Sequence, residues 1–383
     1  METERSNNKR VAIFCDYYLP GFRAGGPVKS IRGIVSNLKR YFNFCLITRD
    51  RDKRSKTAYE GIQINGWNTR DDEKIFYVGK SLTDLISVFK VIKKSNWEIT
   101  YFNSLFSFKF SIFPFIISRL MGRRNLVIAP RGELDSGALS IKPLKKKFFL
   151  SFARLTRIYA QGRWHATSIT EYEQIQKVLK IRPDSIVFVP NFPSIVACAS
   201  KRKDTKVDVL HLIYVSRITP KKKLDAALKA LSGVKIPFKF SIYGPVDDAT
   251  YWEQCQIWIN RMGPEKVVWH GEVMPNEVSA LFNASDLLLF PTLGENYGHA
   301  IVEALANGCP VLISDKTPWS AVEAYGAGYV VRDDPVREIR EILNAHFKMP
   351  AEPKAKMHDR ALAFFQERVL NPNLIDDYRN LFG

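Results

Sequence analysis

Along the first half of the chain, short apolar runs alternate with stretches whose apolar residues recur every three to four positions. VAIFC (11–15), NFCLIT (43–48), IQING (62–66), EITYFN (98–103), NLVIAP (125–130), WHATS (164–168) and SIVFVP (185–190) read as strands. Val28, Ile31, Ile34, Val35 and Leu38 repeat at helical spacing, and so do Leu82, Leu85, Val88, Phe89 and Ile92. Alternation of this kind predicts a largely parallel sheet covered by helices on both faces.

PNFPSIVACASKRKDTKVD (190–208) breaks the pattern with prolines, small residues and a charged cluster, and reads as a linker. The alternation then resumes. VLHLIYVS (209–216), KFSIYG (239–244), KVVWHG (266–271), DLLLFPT (286–292) and PVLISD (310–315) read as strands. Helical patterns lie between them at LDAALKALSG, from about Thr250, at NEVSALFNA and at HAIVEALANG. The expected organisation is one α/β domain over 1–192 and a second over 205–363, with a helical segment, 364–383, returning to the first. Two open α/β domains in succession predict a ligand in the cleft between the carboxyl ends of the two sheets.

A length of 383 residues, with 46% hydrophobic and 12% aromatic residues, supports two cores and excludes a disordered chain. The five cysteines are widely spaced and form no C-x-x-C, which points away from a disulfide framework or zinc site and towards a reducing compartment. No apolar run is long enough for a signal peptide or a spanning helix. The net charge of +18 lies wholly in one half: residues 1–200 hold 34 Lys+Arg against 16 Asp+Glu, residues 201–383 hold 23 of each. Between Ile99 and Thr170 twelve basic residues face two acids, Glu133 and Asp135. Such one-sided charge implies a polyanionic partner.

The chemistry concentrates in PTLGENYGHAIVEALANGCPVLI (291–313), where a strand, a turn and a helix carry Glu295 and Glu303. A helix starting near Tyr297-Gly298 exposes N–H groups and the positive end of its dipole, a site for phosphate. Gly298 keeps no side chain in the way, and the two carboxylates can accept hydrogen bonds from sugar and ribose hydroxyls on either side. In VSRITPKKKLDAAL (215–228), Arg217 at a strand end and Lys222 at the next helix start suit a diphosphate whose charge grows as it departs. Asp50 and Asp52 (DRD) follow the second strand in a highly charged turn, where a metal role is disfavoured. His165 and His270, in apolar strands, read as core residues, and His299 is a candidate contact in the helix's first turn.

These motifs resemble those of the GT-B glycosyltransferases of family 4. The family's Glu-x7-Glu is matched by Glu295 and Glu303, and its Arg-x4-Lys by Arg217 and Lys222. DYYLPGFRAGGPVKSIRGIVSNL, APRGELDSGAL, WHATSITEYEQI, VPN, YGPVDDATYW, HGEV and SDKTPW look like the bacterial surface-polysaccharide members, so the likeness runs over almost the whole chain. The resemblance implies two Rossmann-like α/β domains facing across a cleft, and a retaining, metal-independent transfer from a UDP- or GDP-linked sugar without a cofactor. It implies that Glu303 binds the donor ribose and Glu295 the transferred sugar. Arg217 and Lys222 would hold the diphosphate with backbone groups of Asn296, Tyr297 and Gly298, and Gly244 would belong to the donor site. Gly25 and Gly26 would let the first domain's loop approach donor or acceptor.

Three positions depart from the family. Asn103 stands where many relatives have histidine, so it cannot serve as a general base. Lys223 stands where small residues are usual, and Tyr297 replaces a common Phe. The acceptor implied is a polyprenyl-diphosphate-linked glycan. FSFKFSIFPFIISRLMGRR (106–124) and SIKPLKKKFFLSFARLTRIYAQGRW (140–164) mix cations with apolar residues at helical spacing, which fits either an anionic membrane surface or, equally, core aromatics with a solvated basic face. The expected location is cytoplasmic, peripheral on the inner face of the membrane. No nucleic-acid module accompanies the charge. The rival readings are a nucleotide-sugar epimerase of the same architecture and a catalytically silent membrane scaffold.

Overall fold

The computed structural model describes residues 8–139, 143–160, 162–193 and 209–383. Residues 194–208 of the expected linker, and Cys198 with them, lie outside the described residues. The chain forms two compact units, Met1–Phe192 with Pro372–Gly383, and Pro193–Asn371.

In the first unit the strands are β1 (Arg10–Phe14), β2 (Asn43–Arg49), β3 (Gly66–Arg70), β4 (Glu73–Val78), β5 (Ile99–Phe102), β6 (Leu126–Ile128), β7 (Arg163–Ala166) and β8 (Ile186–Phe188). They form one sheet in the order β3-β4-β2-β1-β5-β6-β7-β8. All neighbouring pairs are parallel except β3 with β4. The helices are α1 (Gly26–Leu38), α2 (Leu85–Lys94), α3 (Phe113–Leu120), α4 (Ser136–Leu139), α5 (Pro143–Leu155) and α6 (Ile169–Leu179). Both faces of the sheet are covered, so β1 is an unbroken apolar run: Val11 and Ile13 enter one core, Ala12 and Phe14 the other.

The edge of this sheet differs from the sequence expectation. IQING is mostly turn, and the chain instead forms a hairpin of β3 and β4, the second of which the periodicity did not suggest. Its two-residue turn is Asp71-Asp72, both left-handed at φ 49 and 64, the geometry that joins twisted antiparallel strands.

The second unit has β9 (Leu210–Val215), β10 (Phe238–Tyr243), β11 (Val267–Trp269), β12 (Leu287–Phe290), β13 (Val311–Ser314) and β14 (Gly328–Val331), all parallel, in the order β11-β10-β9-β12-β13-β14. Its helices are α7 (Leu224–Leu231), α8 (Ala249–Met262), α9 (Val278–Asn283), α10 (His299–Ala306), α11 (Val322–Tyr325), α12 (Pro335–Lys348) and α13 (Ala351–Phe364). The segment expected to return from residue 364 divides here. Phe364, Phe365 and Val369 close the second unit's core, and only α14 (Leu374–Phe382) packs on the first. The apolar stripe of α14, Leu374, Tyr378, Leu381 and Phe382, is buried there, with Tyr378 stacked on Phe192 at a centroid distance of 4.7 Å.

Strand order reverses between β1 and β5 in the first sheet and between β9 and β12 in the second. Loops leaving the carboxyl ends of neighbouring strands at such a reversal diverge and leave a crevice, where open α/β sheets bind their ligands. The segments after β5, β9 and β12 carry Asn103, Arg217 and Glu295.

His165 is a core residue as expected: Nδ1 meets the Tyr101 hydroxyl at 2.7 Å and Nε2 the Val189 carbonyl at 2.8 Å. His270 is not. It is exposed beside the edge strand β11, where Val268 and Trp269 are each 40% accessible, and it stacks on Tyr243 at 4.6 Å. An edge strand lacks a neighbour on one side, so the apolar run KVVWH does not report burial. The basic helices divide between the two readings offered for them. Phe110 and Phe115 are core, while Leu144, Phe148 and Leu155 of α5 are 82%, 76% and 85% exposed.

Candidate active site

The carboxyl end of the second sheet gathers Arg217, Lys222, Gly244, Glu295 and the amino end of α10. Arg217 follows β9. Lys222 ends a tight turn before α7, and Lys223 after it is left-handed at φ 53. That conformation explains why a residue with little or no side chain is the easier occupant there.

Lys222 and Glu295 lie 73 residues apart in sequence and form an ion pair of 2.5 Å, with side chains 12% and 11% accessible. Glu295 Oε1 also accepts from the Thr292 hydroxyl at 2.9 Å, and the Glu295 N–H donates to the Lys316 carbonyl at 3.1 Å. Burial pushes the Lys222 ammonium below the ordinary lysine value, and the Glu295 carboxylate draws it back up. Its nitrogen sits 5.4 Å from the centre of the Phe290 ring. Arg217 pairs with Asp247 at 2.6 Å, and the Asp247 N–H is tied to the Ile218 carbonyl at 3.1 Å. The two cations foreseen for a diphosphate are therefore each already paired with a carboxylate.

Gly244 has φ 136, and a Cβ added to it would lie 1.9 Å from the Ser216 carbonyl oxygen. Only glycine lets β9 and β10 converge so closely beside Arg217. Gly298 caps α10 with φ 76, next to Glu295. Glu303 is buried in the same helix, 2% accessible, and its carbonyl accepts from Asn307 Nδ2 at 2.8 Å. Asn296 lies in the turn between Glu295 and Tyr297. Tyr297 is buried, with the rings of His299 and Trp319 at 4.8 and 5.5 Å, and its carbonyl accepts from the Trp319 indole.

Gly25, Gly26 and Asn103 belong to the first unit. Gly25 caps α1 with φ 68, and Gly26 is the helix's first residue. The loop before them is held by Asp52, whose Oδ2 accepts from the N–H groups of Phe22 and Arg23 at 3.0 and 3.2 Å. Asp50 is buried against Arg51, which grips both its oxygens at 2.8 and 2.9 Å. In the charged DRD turn, Asp52 is thus a loop anchor and Asp50 half of an ion pair. Asn103 is 5% accessible, and its Oδ1 accepts from Arg131 Nε at 2.6 Å.

Sequence reasoning passed over Asp247, Thr292 and Arg131. The motifs YGPVDDATYW, DLLLFPT and APRGELDSGAL contain them, and an acid, a hydroxyl and a cation just past strand ends were the available signal.

Residues 199–362 match the model of the family described as glycosyl transferases group 1. An uncharacterised 41.2 kDa protein in the cps region of Klebsiella pneumoniae is 21% identical over 282 residues, 70% of this chain and 75% of that one. The O-antigen chain mannosyltransferase RfbU of Salmonella typhimurium is 36% identical over 70 residues, 18% of this chain and 20% of that one. Among solved structures, Anabaena HepE in complex with UDP and glucose superposes with a TM-score of 0.73 at 16% identity, covering 97% of this chain and 99% of that one. WaaG, a glycosyltransferase involved in lipopolysaccharide biosynthesis, gives a TM-score of 0.70 at 16% identity, covering 97% and 99%. The fold is that of the GT-B glycosyltransferases, two Rossmann-like α/β domains with parallel sheets. The family match falls within the second unit, the one that carries Arg217, Lys222, Glu295 and Glu303.

Proposed function

We propose that the protein is a retaining, nucleotide-sugar-dependent glycosyltransferase that extends a polyprenyl-diphosphate-linked glycan in bacterial surface-polysaccharide synthesis. The observation that carries this reading is the Lys222–Glu295 pair set beside Arg217 and the amino end of α10. A diphosphate entering this corner meets two cations and a helix N-terminus, while Glu295, released from Lys222, turns to the hydroxyls of the transferred sugar. Glu303 takes the ribose, and Gly244, Asn296, Tyr297 and Gly298 shape the backbone around the phosphates. The departing diphosphate oxygen accepts the proton of the attacking acceptor hydroxyl on the same face of the sugar. Arg217, Lys222 and α10 stabilise the charge that grows on it, which needs no metal ion. Loops at Gly25-Gly26 and Asn103 serve donor or acceptor from the first unit.

An anionic membrane as the site of action is supported by α5. Leu144, Phe148, Phe152 and Leu155 form an exposed apolar stripe, with Lys145, Lys147 and Arg154 exposed around it. Among the described residues no helix is long and apolar enough to cross a membrane. In this reading the stripe attaches the protein peripherally to the cytoplasmic face of the membrane.

The reading is tested by nucleotide release from UDP-, GDP- and ADP-sugars, with and without a bacterial lipid extract, for wild type and Glu303→Ala. Release from one donor that needs lipid and vanishes in the variant is expected. Release without lipid-dependent product, with a changed sugar recovered, would instead favour the epimerase. No release from any donor, with variant and wild type alike, would favour the silent scaffold.

A further inference from the structure

Arg131 follows β6 in a left-handed conformation, φ 57, which aims its side chain back across the carboxyl end of the first sheet. The guanidinium meets three neutral oxygens. Nε donates to Asn103 Oδ1 at 2.6 Å, Nη1 to Asn191 Oδ1 at 2.5 Å and Nη2 to the Tyr101 hydroxyl at 2.6 Å. These acceptors come from the ends of β5 and β8, so one side chain ties three strand ends together. Among the described residues Arg131 forms no ion pair. The nearby acids are engaged elsewhere: Glu133 with Ser104 and the N–H groups of Leu105 and Phe106, Glu171 with Gly132 N–H and Thr167.

The chemistry of arginine fixes the orientation of both amides. A guanidinium has only donors, so each asparagine must turn its oxygen to it. What remains of Asn103 and Asn191 is then Nδ2, a donor. Both residues are about 95% buried, at 5% and 4% accessible, yet among the described residues neither Nδ2 has an acceptor and neither is sealed from solvent.

We infer that Arg131, Asn103 and Asn191 form an oxyanion site on the first unit, built of donors alone and made for the oxygens of a phosphoryl group. A neutral hydroxyl would leave most of these donors and the positive charge unanswered, whereas a phosphate offers several acceptors and opposite charge. Arg131 acts twice, as the cation and as the clamp that makes both amides donors. The phosphate belongs to the acceptor's lipid diphosphate or to the donor's diphosphate. The inference rests on the proposed transferase reading for that source, and its test requires no turnover.

The test is calorimetric titration of the full chain with inorganic pyrophosphate, geranyl diphosphate and UDP. Wild type, Asn103→Asp, Asn191→Asp and Lys222→Ala are compared. Aspartate keeps the shape and the bond to Arg131 but replaces the outward donor by an acceptor and cancels the charge. Each Asp variant is expected to bind pyrophosphate and geranyl diphosphate at least tenfold more weakly, with an unchanged melting temperature. Lys222→Ala is expected to weaken UDP and to leave geranyl diphosphate within twofold. Loss of UDP rather than geranyl diphosphate in the Asp variants would retain the site and assign it to the donor. Wild-type binding that both Asp variants leave intact overturns the inference, as does a wild type that binds none of the three ligands. If an Asp variant fails to fold, Asn103→Ser and Asn191→Ser, which only shorten the donor, carry the same expectation. A transferase assay without product beside these binding losses would count against the proposed function alone.

Discussion

The two sheets present opposite electrostatic designs at their carboxyl ends. In the second unit each cation has a carboxylate of its own, Lys222 with Glu295 and Arg217 with Asp247. In the first unit Arg131 is held by an amide, another amide and a phenol, all neutral. A cation in an ion pair is compensated until a ligand takes the carboxylate's place, and the displaced carboxylate is then free to bind another part of that ligand. A cation held by neutral oxygens is fixed in position with its charge undiminished. The first design suits a group that must respond as chemistry proceeds, the second a group that only has to hold.

The largest effect that would sharpen this contrast concerns the charge of Arg131 inside the fold. Burial, and after it the charge of Arg131, push the His165 imidazole down from 6.5 to about 3. The unfolded chain therefore binds a proton near pH 6.5 that the folded chain refuses until about pH 3. Stability from this group is present above 6.5 and is lost as pH falls through that window, on the order of 5 kcal/mol in all. Urea midpoints measured from pH 7 to pH 4 should fall steeply in wild type and clearly less in His165→Gln. Parallel curves would show that His165 is not held neutral in the fold.

Next in size is Lys222→Ala. Turnover should fall about a hundredfold, roughly 3 kcal/mol in the barrier, with a smaller change in KM. The variant should also lose about 1–3 kcal/mol of stability, because Glu295 is left buried without its cation. Adding Glu295→Gln should restore stability and not turnover. Unchanged kcat with only a raised KM would break the assignment of Lys222 to the departing charge.

The smallest effect is expected from Asp247→Asn. Removing a carboxylate beside Arg217 lifts a repulsion felt by any diphosphate, so UDP should bind about threefold tighter by calorimetry, with the gain shrinking at high salt. Weaker binding would mean that Asp247 chiefly orients Arg217.

Much of this was legible in the chain. The strand–turn–helix around Glu295 and Glu303 and the strand end at Arg217 follow from local periodicity and glycine placement, and the structure puts α10 at His299–Ala306 with Gly298 as its cap. Pairing across distance was not legible: nothing local joins Lys222 to Glu295, or Arg131 to Asn191. Edges misled in both directions. The β3–β4 hairpin hid behind two aspartates in a left-handed turn, and His270 looked buried because apolar periodicity cannot tell an edge strand from a central one.

The placement of α14 has a consequence for how the molecule is made. Phe192 and His165 pack against Tyr378, and Tyr101 against Phe382. On the ribosome α14 emerges after the whole of the second unit, so the first unit, although made before that unit, waits with an open apolar face. The second unit, contiguous from Pro193 to Asn371, is complete before α14 is made. Vectorial synthesis thus inverts the order of maturation, and the nascent first unit is the stage at which a chaperone would be needed.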